Sequence, residues 1–488
     1  LVSLSTFVLL AIGQGQGSLS PSDAIAAAHA DLAKIAGDKT RLRYLSLYAT
    51  PAKERERFIR VLNAHCNALS REPDLTPVAI VPGTQGSLVR IDLRDYRWDK
   101  ATWEKLLDPY FTAMVETTVE TPWEGGTWRD DGRYYPQGAF RYKKTVRSQA
   151  LAPWLSDTAA AQKRLAEVVQ WTGSKAPVVH AAWWFNQTAA AADRSPNYYD
   201  FLGVKDEATF QKAIGADVKR AEDLGAELRE AVADSGVTLH PRAIVRLGTV
   251  TGSLWKTLDI GQVKGNKNPL RVLGREIDKE YDASEQFGHL PNGLWATGLF
   301  DRQGKVQASA PDNIASDGMS KSNDRRVHVN VSCIRCHANG GLQDLDGWVR
   351  NLLTPPLQLR SPDFDRVREL RRQYARKLEP FIEKDRAVFA NAVREITGGW
   401  EPKEFAAAYA AEWERYEDAK IGLAEAAADL GVSVERWWKA LDASVRSGSG
   451  DTVLSSMLLQ NPRLNRVPVR VWEDSYGAAQ LILKGHQQ

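Results

Sequence analysis

The sequence predicts an α+β protein with mixed N-terminal and middle regions, a β-hairpin leading into a cysteine motif, and a mainly helical C-terminal region. Three observations carry that expectation. Apolar and polar residues alternate in "LVRIDLRDYRW" (88–98) and again in "RVHVNVSC" (326–333), the period of a half-buried strand. Beyond residue 357 the period changes, and apolar side chains recur every three or four residues as on one face of a helix. Hydrophobic content of 43% and charged content of 26% over 488 residues belong to a globular chain that builds its core without disulfide staples.

Taken in order, residues 1–17 read as an export signal. "LSTFVLLAIG" (4–13) is an uncharged apolar run of signal-peptide length, and the small residues of "GQGQGS" place cleavage near Gly17. No other apolar run approaches the roughly 20 residues of a spanning helix, so the mature chain is expected in the periplasm or cell envelope with no membrane span. A net charge of +3, without a basic block and interleaved aromatics, argues against nucleic acid.

Residues 18–145 form a mixed α/β region. "SPSDAIAAAHADLAKIAGDKTR" enters a short helix at Ser-Pro and leaves it at Gly37, with His29 exposed on it; 88–98 is a strand, and "DKATWEKLLDPYF" an Asp-capped helix. The Gly-, Trp- and Tyr-rich stretch 110–142 reads as a long irregular connection. Residues 146–273 form an α+β region. It holds "APVVHAAWWFNQT", with His180 and the core-type pair Trp183 and Trp184, and a strong helix in "DEATFQKAIGADVKRAEDLGAELREAVADSG". In 274–356, "GLWATGLFDRQGKVQASA" has strand-turn-strand features, Val327, Val329 and Val331 share one strand face, and "LQDLDGWVRNLL" is helical before Pro355. Residues 357–488 are helical, with one stripe through Phe364, Val367, Leu370, Tyr374, Leu378 and Phe381 and another through Phe405, Tyr409, Trp413 and Tyr416.

The chemistry concentrates in "VSCIRCHANGG" (331–341). Of the chain's three cysteines, Cys66 sits on an apolar helical face and reads as a buried thiol, whereas Cys333 and Cys336 stand in a C-x-x-C-H frame. Chance assembles that frame from this composition with a probability on the order of a few in 10,000. The spacing lets two thiols reach two vinyl groups and sets an imidazole beneath the iron, so one covalent haem c is expected on Cys333 and Cys336, with His337 as the proximal ligand. The competing readings are a redox dithiol and half a zinc site, but zinc needs two further N or S ligands and none stands nearby in sequence.

The segments "FGHLPNGLWATGLFDRQG", "NDRRVHVNVSCIRCHANGG" and "DGWVRNLL", with "SGVTLHPRAIVRLG" and "GSLWKTLDI" upstream, resemble a group of large exported bacterial proteins that carry a single cytochrome c-type haem motif. The likeness runs loosely from "RYLSLYAT" to "YGAAQLILKG", and only the haem segment and "LPNGL" are specific. The resemblance implies haem c on Cys333 and Cys336 with His337 beneath it, and assigns no reaction. Those relatives follow the Arg at the position of Arg246 with a His; here Leu247 stands there, so no role of that His transfers.

The sixth iron ligand is not where small cytochromes c keep it. Between Ala338 and Ser456 there is no Met and no His. An upstream ligand is therefore expected, His289 in "FGHLPNGL" ahead of Met319 in "SDGMSKSND", with His328 on the hairpin a weaker candidate, His180 or His240 behind it, and an open site as the remaining option. Electron transfer to a redox partner of unknown identity is the leading function. A haem enzyme or small-ligand sensor with an open distal site is the alternative, and an envelope interaction protein with a structural haem a further one. No Ser-His-Asp frame, phosphate loop or H-E-x-x-H motif places separate chemistry elsewhere, so enzyme status stays open.

Overall fold

The computed structural model describes residues 21–48, 50–106, 112–122, 139–150, 159–191, 196–232, 242–260, 274, 277–311, 314–320, 325–337, 344–345, 347–353, 361–447, 452–459 and 465–485. At 112–122, 139–150 and a few helix positions the backbone alone is described. The fold is mixed α and β with a mainly helical C-terminal part, as the hydrophobic patterning requires. Among the described residues no helix is long and apolar enough to cross a membrane. The chain forms two compact units, one of residues 1–106 and 158–419, the other of 107–157 and 420–488.

In chain order the strands are β1 (Leu42–Ser46), β2 (Ala79–Ile80), β3 (Leu88–Asp92), β4 (Thr112–Pro122), β5 (Ala139–Ala150), β6 (Val178–His180), β7 (Leu228–Val232), β8 (Arg242–Gly248), β9 (Ser253–Leu258), β10 (Ala283–His289), β11 (Trp295–Asp301), β12 (Lys420–Ile421) and β13 (Val467–Pro468). The first unit carries two sheets. One has the order β2-β3-β1-β6, with β1 parallel to β6 and antiparallel to β3. The other is an antiparallel meander, β11-β10-β9-β8-β7. Meander strands can follow one another through short turns, and the "LPNG" turn joins β10 to β11 with Gly288 opposite Ala296. Helices Ala52–Ala68, Glu379–Thr397 and Pro402–Asp418 pack on one another beside it, burying Phe58, Val61, Leu62, Val393, Phe405 and Tyr409. Cys66 lies in that core with no exposed surface, and burial pushes its thiol well above the ordinary value. The second unit pairs β4 with β5 and packs helices Leu423–Leu430, Val434–Arg446 and Val469–Gly485.

Several elements depart from the sequence expectation for identifiable reasons. Within the expected irregular connection of 110–142, residues 112–122 instead form a strand that pairs with 139–150, which its Thr and Val content favours. The expected long helix after Asp206 is two short ones, Glu207–Ala213 and Val218–Asp223, followed by β7. Gly215 and Gly225 take positive φ of 65° and 61°, a conformation that ends a helix, and Asp217 caps a new start by accepting from Arg220 N. The expected 361–381 helix breaks into Ser361–Gln373 and Glu379–Thr397, leaving Phe364 exposed. The hairpin expected before the C-x-x-C-H frame is reduced to isolated bridges, Phe300 to Val306 and Ser309 to His328; Val327, Val329 and Val331 are buried, but so is Asn330 between them, and Val331 already belongs to a helix.

One buried ion pair ties the meander to the helices. Arg246 on β8 donates from Nε and Nη2 to the two carboxylate oxygens of Asp385 on Glu379–Thr397, each at 2.9 Å, and Trp255 Nε1 donates to Asp385 at 2.8 Å. Burial opposes the Asp385 charge, but the hydrogen bonds and charge of Arg246 outweigh it and hold the carboxyl below its usual range. Removing one partner of such a pair strands the other charge, so Asp385→Ala is expected to cost about 3–5 kcal/mol in urea unfolding. Because the folded pKa is depressed, this stabilisation is complete above the unfolded carboxylate pKa of about 3.9 and is lost as pH falls through the lower folded value. Wild type and variant should therefore converge in stability at strongly acid pH; a gap that persisted there would mean the pair is not its source.

Candidate haem attachment site

The attachment motif lies on a short helix, Val331–Cys336, in the first unit. Asn330 opens it at φ 66° and ψ −64°, a strained γ-turn closed by Val331 N donating to the carbonyl of Val329 at 2.9 Å. Its amide donates to the carbonyl of Ala189 and to Tyr409 Oη, both at 2.8 Å. Tyr409 Oη lies 3.0 Å from His65 Nδ1, His65 Nε2 lies 2.8 Å from Thr188 Oγ1, and Thr188 donates to the carbonyl of Trp184 at 2.6 Å. A single donor order satisfies every link. Tyr409 gives its proton to Nδ1, so neutral His65 carries its own on Nε2 and donates to Thr188. Burial drives the His65 pKa down to about 3, which keeps the ring neutral and the order intact across ordinary pH.

Cys333 and Cys336, three residues apart, share a face of the helix, and His337 follows as its C-cap. They open together on a cavity of about 550 Å³, a space that includes solvent at its mouth. Arg242, Asp259, Glu285, Phe300 and Gln307 also line it. Cys333 and His337 line a second cavity too, of about 480 Å³, between the β10–β11 face and the helices. The His337 ring stands 4.4 Å from the ring of Phe287 on β10.

The first cavity holds a charged cluster at its wall. Arg242 donates to Asp259 at 2.6 and 3.0 Å and to Glu285 at 3.0 Å, while the Cys333 thiol faces the other Glu285 oxygen at 3.5 Å. Burial opposes ionisation of Glu285, but Arg242 outweighs it, with His337 adding to the effect, and the carboxyl is held below its usual range. Two carboxylates against one guanidinium leave a net negative charge at the thiols. Its effect on them is direct: burial and Glu285 raise Cys333 well above the ordinary thiol value, and burial with Asp317 and Glu285 pushes Cys336 up to about 12.

These features discriminate among the readings of the motif. A redox dithiol needs a stabilised thiolate, and both thiols here are held protonated. Among the described residues no three His, Cys, Asp or Glu side chains converge on a point where a metal ion could be held. Haem c needs neither condition. It needs two thiols and an imidazole beside a partly apolar cavity, and Cys333, Cys336, His337 and the walls at Phe300, Leu299 and Val327 fit it.

Comparison with known protein families, curated proteins and solved structures returns no match.

The candidate sixth ligands are not brought to this face. His289 is wholly buried at the end of β10, with Nδ1 3.2 Å from Ser253 N and Nε2 3.1 Å from the carbonyl of Asp385, so both ring nitrogens are engaged. Met319 is 57% exposed; its loop is tied to the attachment helix through Asp317, which accepts from Arg335 at 3.1 Å and from Met319 N at 3.0 Å. His328 is half-buried, its backbone N donating to Ser332 Oγ at 3.0 Å, and its ring faces Trp413. His180 is buried against Tyr48 and Trp183, and His240 lies outside the described residues. Trp183 and Trp184 are core residues that line neither cavity. Glu285, Arg242 and Asn330 were missed by sequence reasoning, yet a Glu inside "ASEQFGH" and an Arg inside "RAIVRLG", two largely buried strands, were the available signal.

The raised thiol pKa is testable on haem-free chain. A thiolate forms only as pH approaches the raised value, so alkylation of Cys336 by iodoacetamide should be slow at pH 7 to 8 and climb steadily towards about 12. Fast alkylation at neutral pH would restore the redox-dithiol reading.

Proposed function

We propose that this chain is an exported monohaem c-type protein whose haem binds a small ligand, such as a peroxide or a gas, at an open sixth position. The carrying observation is that Cys333, Cys336 and His337 open onto one cavity whose described lining includes no second His and no Met. Bound haem supplies an iron centre that can change oxidation state and take a further ligand. The chain's own part is to present the two thiols, hold the proximal imidazole and wall off water. Asn330 sets the entry angle of the helix, and Phe287 packs on His337 to limit rotation of its ring. Arg242, Asp259, Glu285 and Gln307 offer polar groups beside the apolar walls at Leu299, Phe300, Ile314 and Val327, the mixture found in small-molecule sites.

Electron transfer, the leading expectation from sequence, needs a fixed second axial ligand. His289 would have to give up two hydrogen bonds to become one, and for that reason the open site is the better-supported reading.

Protein matured in a haem c-competent envelope should keep its haem on the polypeptide in acidified organic solvent, and Cys333→Ser with Cys336→Ser should release it. Carbon monoxide should bind the freshly reduced protein rapidly; a sharp low-spin ferrous spectrum that resists it would return electron transfer to first place. Glu285→Gln removes a negative charge beside the thioether position, which should raise the reduction potential, because the ferric state loses more stabilisation than the ferrous one. A redox titration that finds no rise would take Glu285 out of the electrostatic environment of the iron.

A further inference from the structure

The second cavity, of about 480 Å³, has a wall unlike the first. It lies wholly in the first unit, between Phe287 and Trp295 on the meander, Ala64 on Ala52–Ala68, Phe389 on Glu379–Thr397, and Phe405 and Ala406 on Pro402–Asp418. No acidic or basic residue lines it apart from His337, and Cys336 does not reach it, so the pair of thiols belongs to the other cavity. Small side chains at Ala64 and Ala406 leave the space, and the aromatic rings bound it.

Among the described residues two side chains of this wall carry a buried polar atom with no hydrogen-bond partner, Trp295 at Nε1 and Thr297 at Oγ1, and Trp295, which can only donate, makes the sharper demand. The side chain is 6% exposed and is gripped by Phe287 at 5.5 Å and Phe389 at 6.1 Å, yet among the described residues its Nε1–H has no hydrogen-bond partner. Other buried tryptophans here do better: Trp98 and Trp103 donate to the carbonyls of Leu69 and Ala176, and Trp255 to Asp385. Trp184, Trp413 and Trp437 share the lack but line neither cavity. A buried donor without an acceptor is costly, and in a cavity a ligand can supply that acceptor.

The geometry points to a binding site for a small, flat, apolar molecule that carries a hydrogen-bond-accepting oxygen on a ring, the chemistry of aromatic ketones and quinones. The rings of Phe287, Trp295, Phe389 and Phe405 take its apolar faces, and the indole N–H of Trp295 takes its oxygen. This site is separate from the haem proposal in its contents and shares only Cys333 and His337 as wall. Its occupant would rest on the helix that bears the haem.

The test uses 1-tetralone, an unreactive aromatic ketone, against tetralin, the same ring system without the oxygen, titrated into the full matured chain by calorimetry and tryptophan fluorescence. Tetralone should bind about tenfold more tightly than tetralin, the value of one hydrogen bond to a buried unpaired donor. Trp295→Phe should abolish that difference while leaving tetralin binding in place. Ala406→Leu, or Ala64→Val on the facing wall should the first not fold, fills the space and should remove binding of both, with haem content per chain unchanged. Equal affinity for the two probes, binding that survives either filled cavity, or no binding of tetralone to wild type would overturn the inference. Loss of haem from a folded Ala406→Leu chain would do so too, by assigning this space to the porphyrin. Wild type that carries no covalent haem but discriminates tetralone from tetralin would sink the haem proposal and leave this one standing.

Discussion

The site depends on how Asn330 is held. An approach segment with one β-bridge must turn abruptly into a helix of six residues, too short to be stable on its own, and it does so through a positive-φ residue. Such a turn persists only where its surroundings over-determine it. Two hydrogen bonds from one amide do this, to Ala189 after helix Ala181–Thr188 and to Tyr409 on Pro402–Asp418, and Tyr409 passes the constraint to His65 on Ala52–Ala68. Three helices brought together from distant parts of the sequence thereby fix the direction in which Cys333, Cys336 and His337 face. The aromatic packing of Phe185 against Tyr409 and His65 serves the same end, because it fixes the rings through which the hydrogen bonds run.

The sheet supplies the opposite wall, and its cost is electrostatic. Burying Arg242, Asp259 and Glu285 is unfavourable unless each is paired, and the cluster meets that condition with near-bidentate geometry and a further bond from Arg242 to Thr257. A chain selected for stability alone would do as well with apolar residues at these positions. Their presence beside two thiols is what makes this wall a candidate for function. The Arg246–Asp385 pair is different: it lines neither cavity and joins sheet to helix.

Much of this was legible locally and little of it globally. The C-x-x-C-H frame and the stripes of Pro402–Asp418 follow from spacing alone, because each is decided within a few residues. The helix predicted after Asp206 failed because apolar periodicity ran through Gly215 and Gly225, and backbone conformation overrode side-chain pattern. The ranking of His289 failed to anticipate its surroundings for another reason. Proximity along the chain says nothing about which way a side chain turns, and His289 turns towards Asp385 and Ser253, contacts 96 and 36 residues away. The relay through His65 and Tyr409 spans 344 residues and leaves no local trace.

If the chain carries one haem, as proposed, its size follows from these constraints. An electron carrier needs one apolar crevice and two axial ligands, which a domain of about a hundred residues provides. Here the proximal helix alone is braced by a network from three other helices, and the thiols face a charged wall built on a five-stranded meander. On the proposed reading, rigid bracing of the helix that bears His337, together with engaged nitrogens on His289, would leave the iron's other side to be filled from outside the described chain. That division of labour is what ligand binding requires: one coordination position held fixed by the fold so that the other stays open for an exogenous molecule.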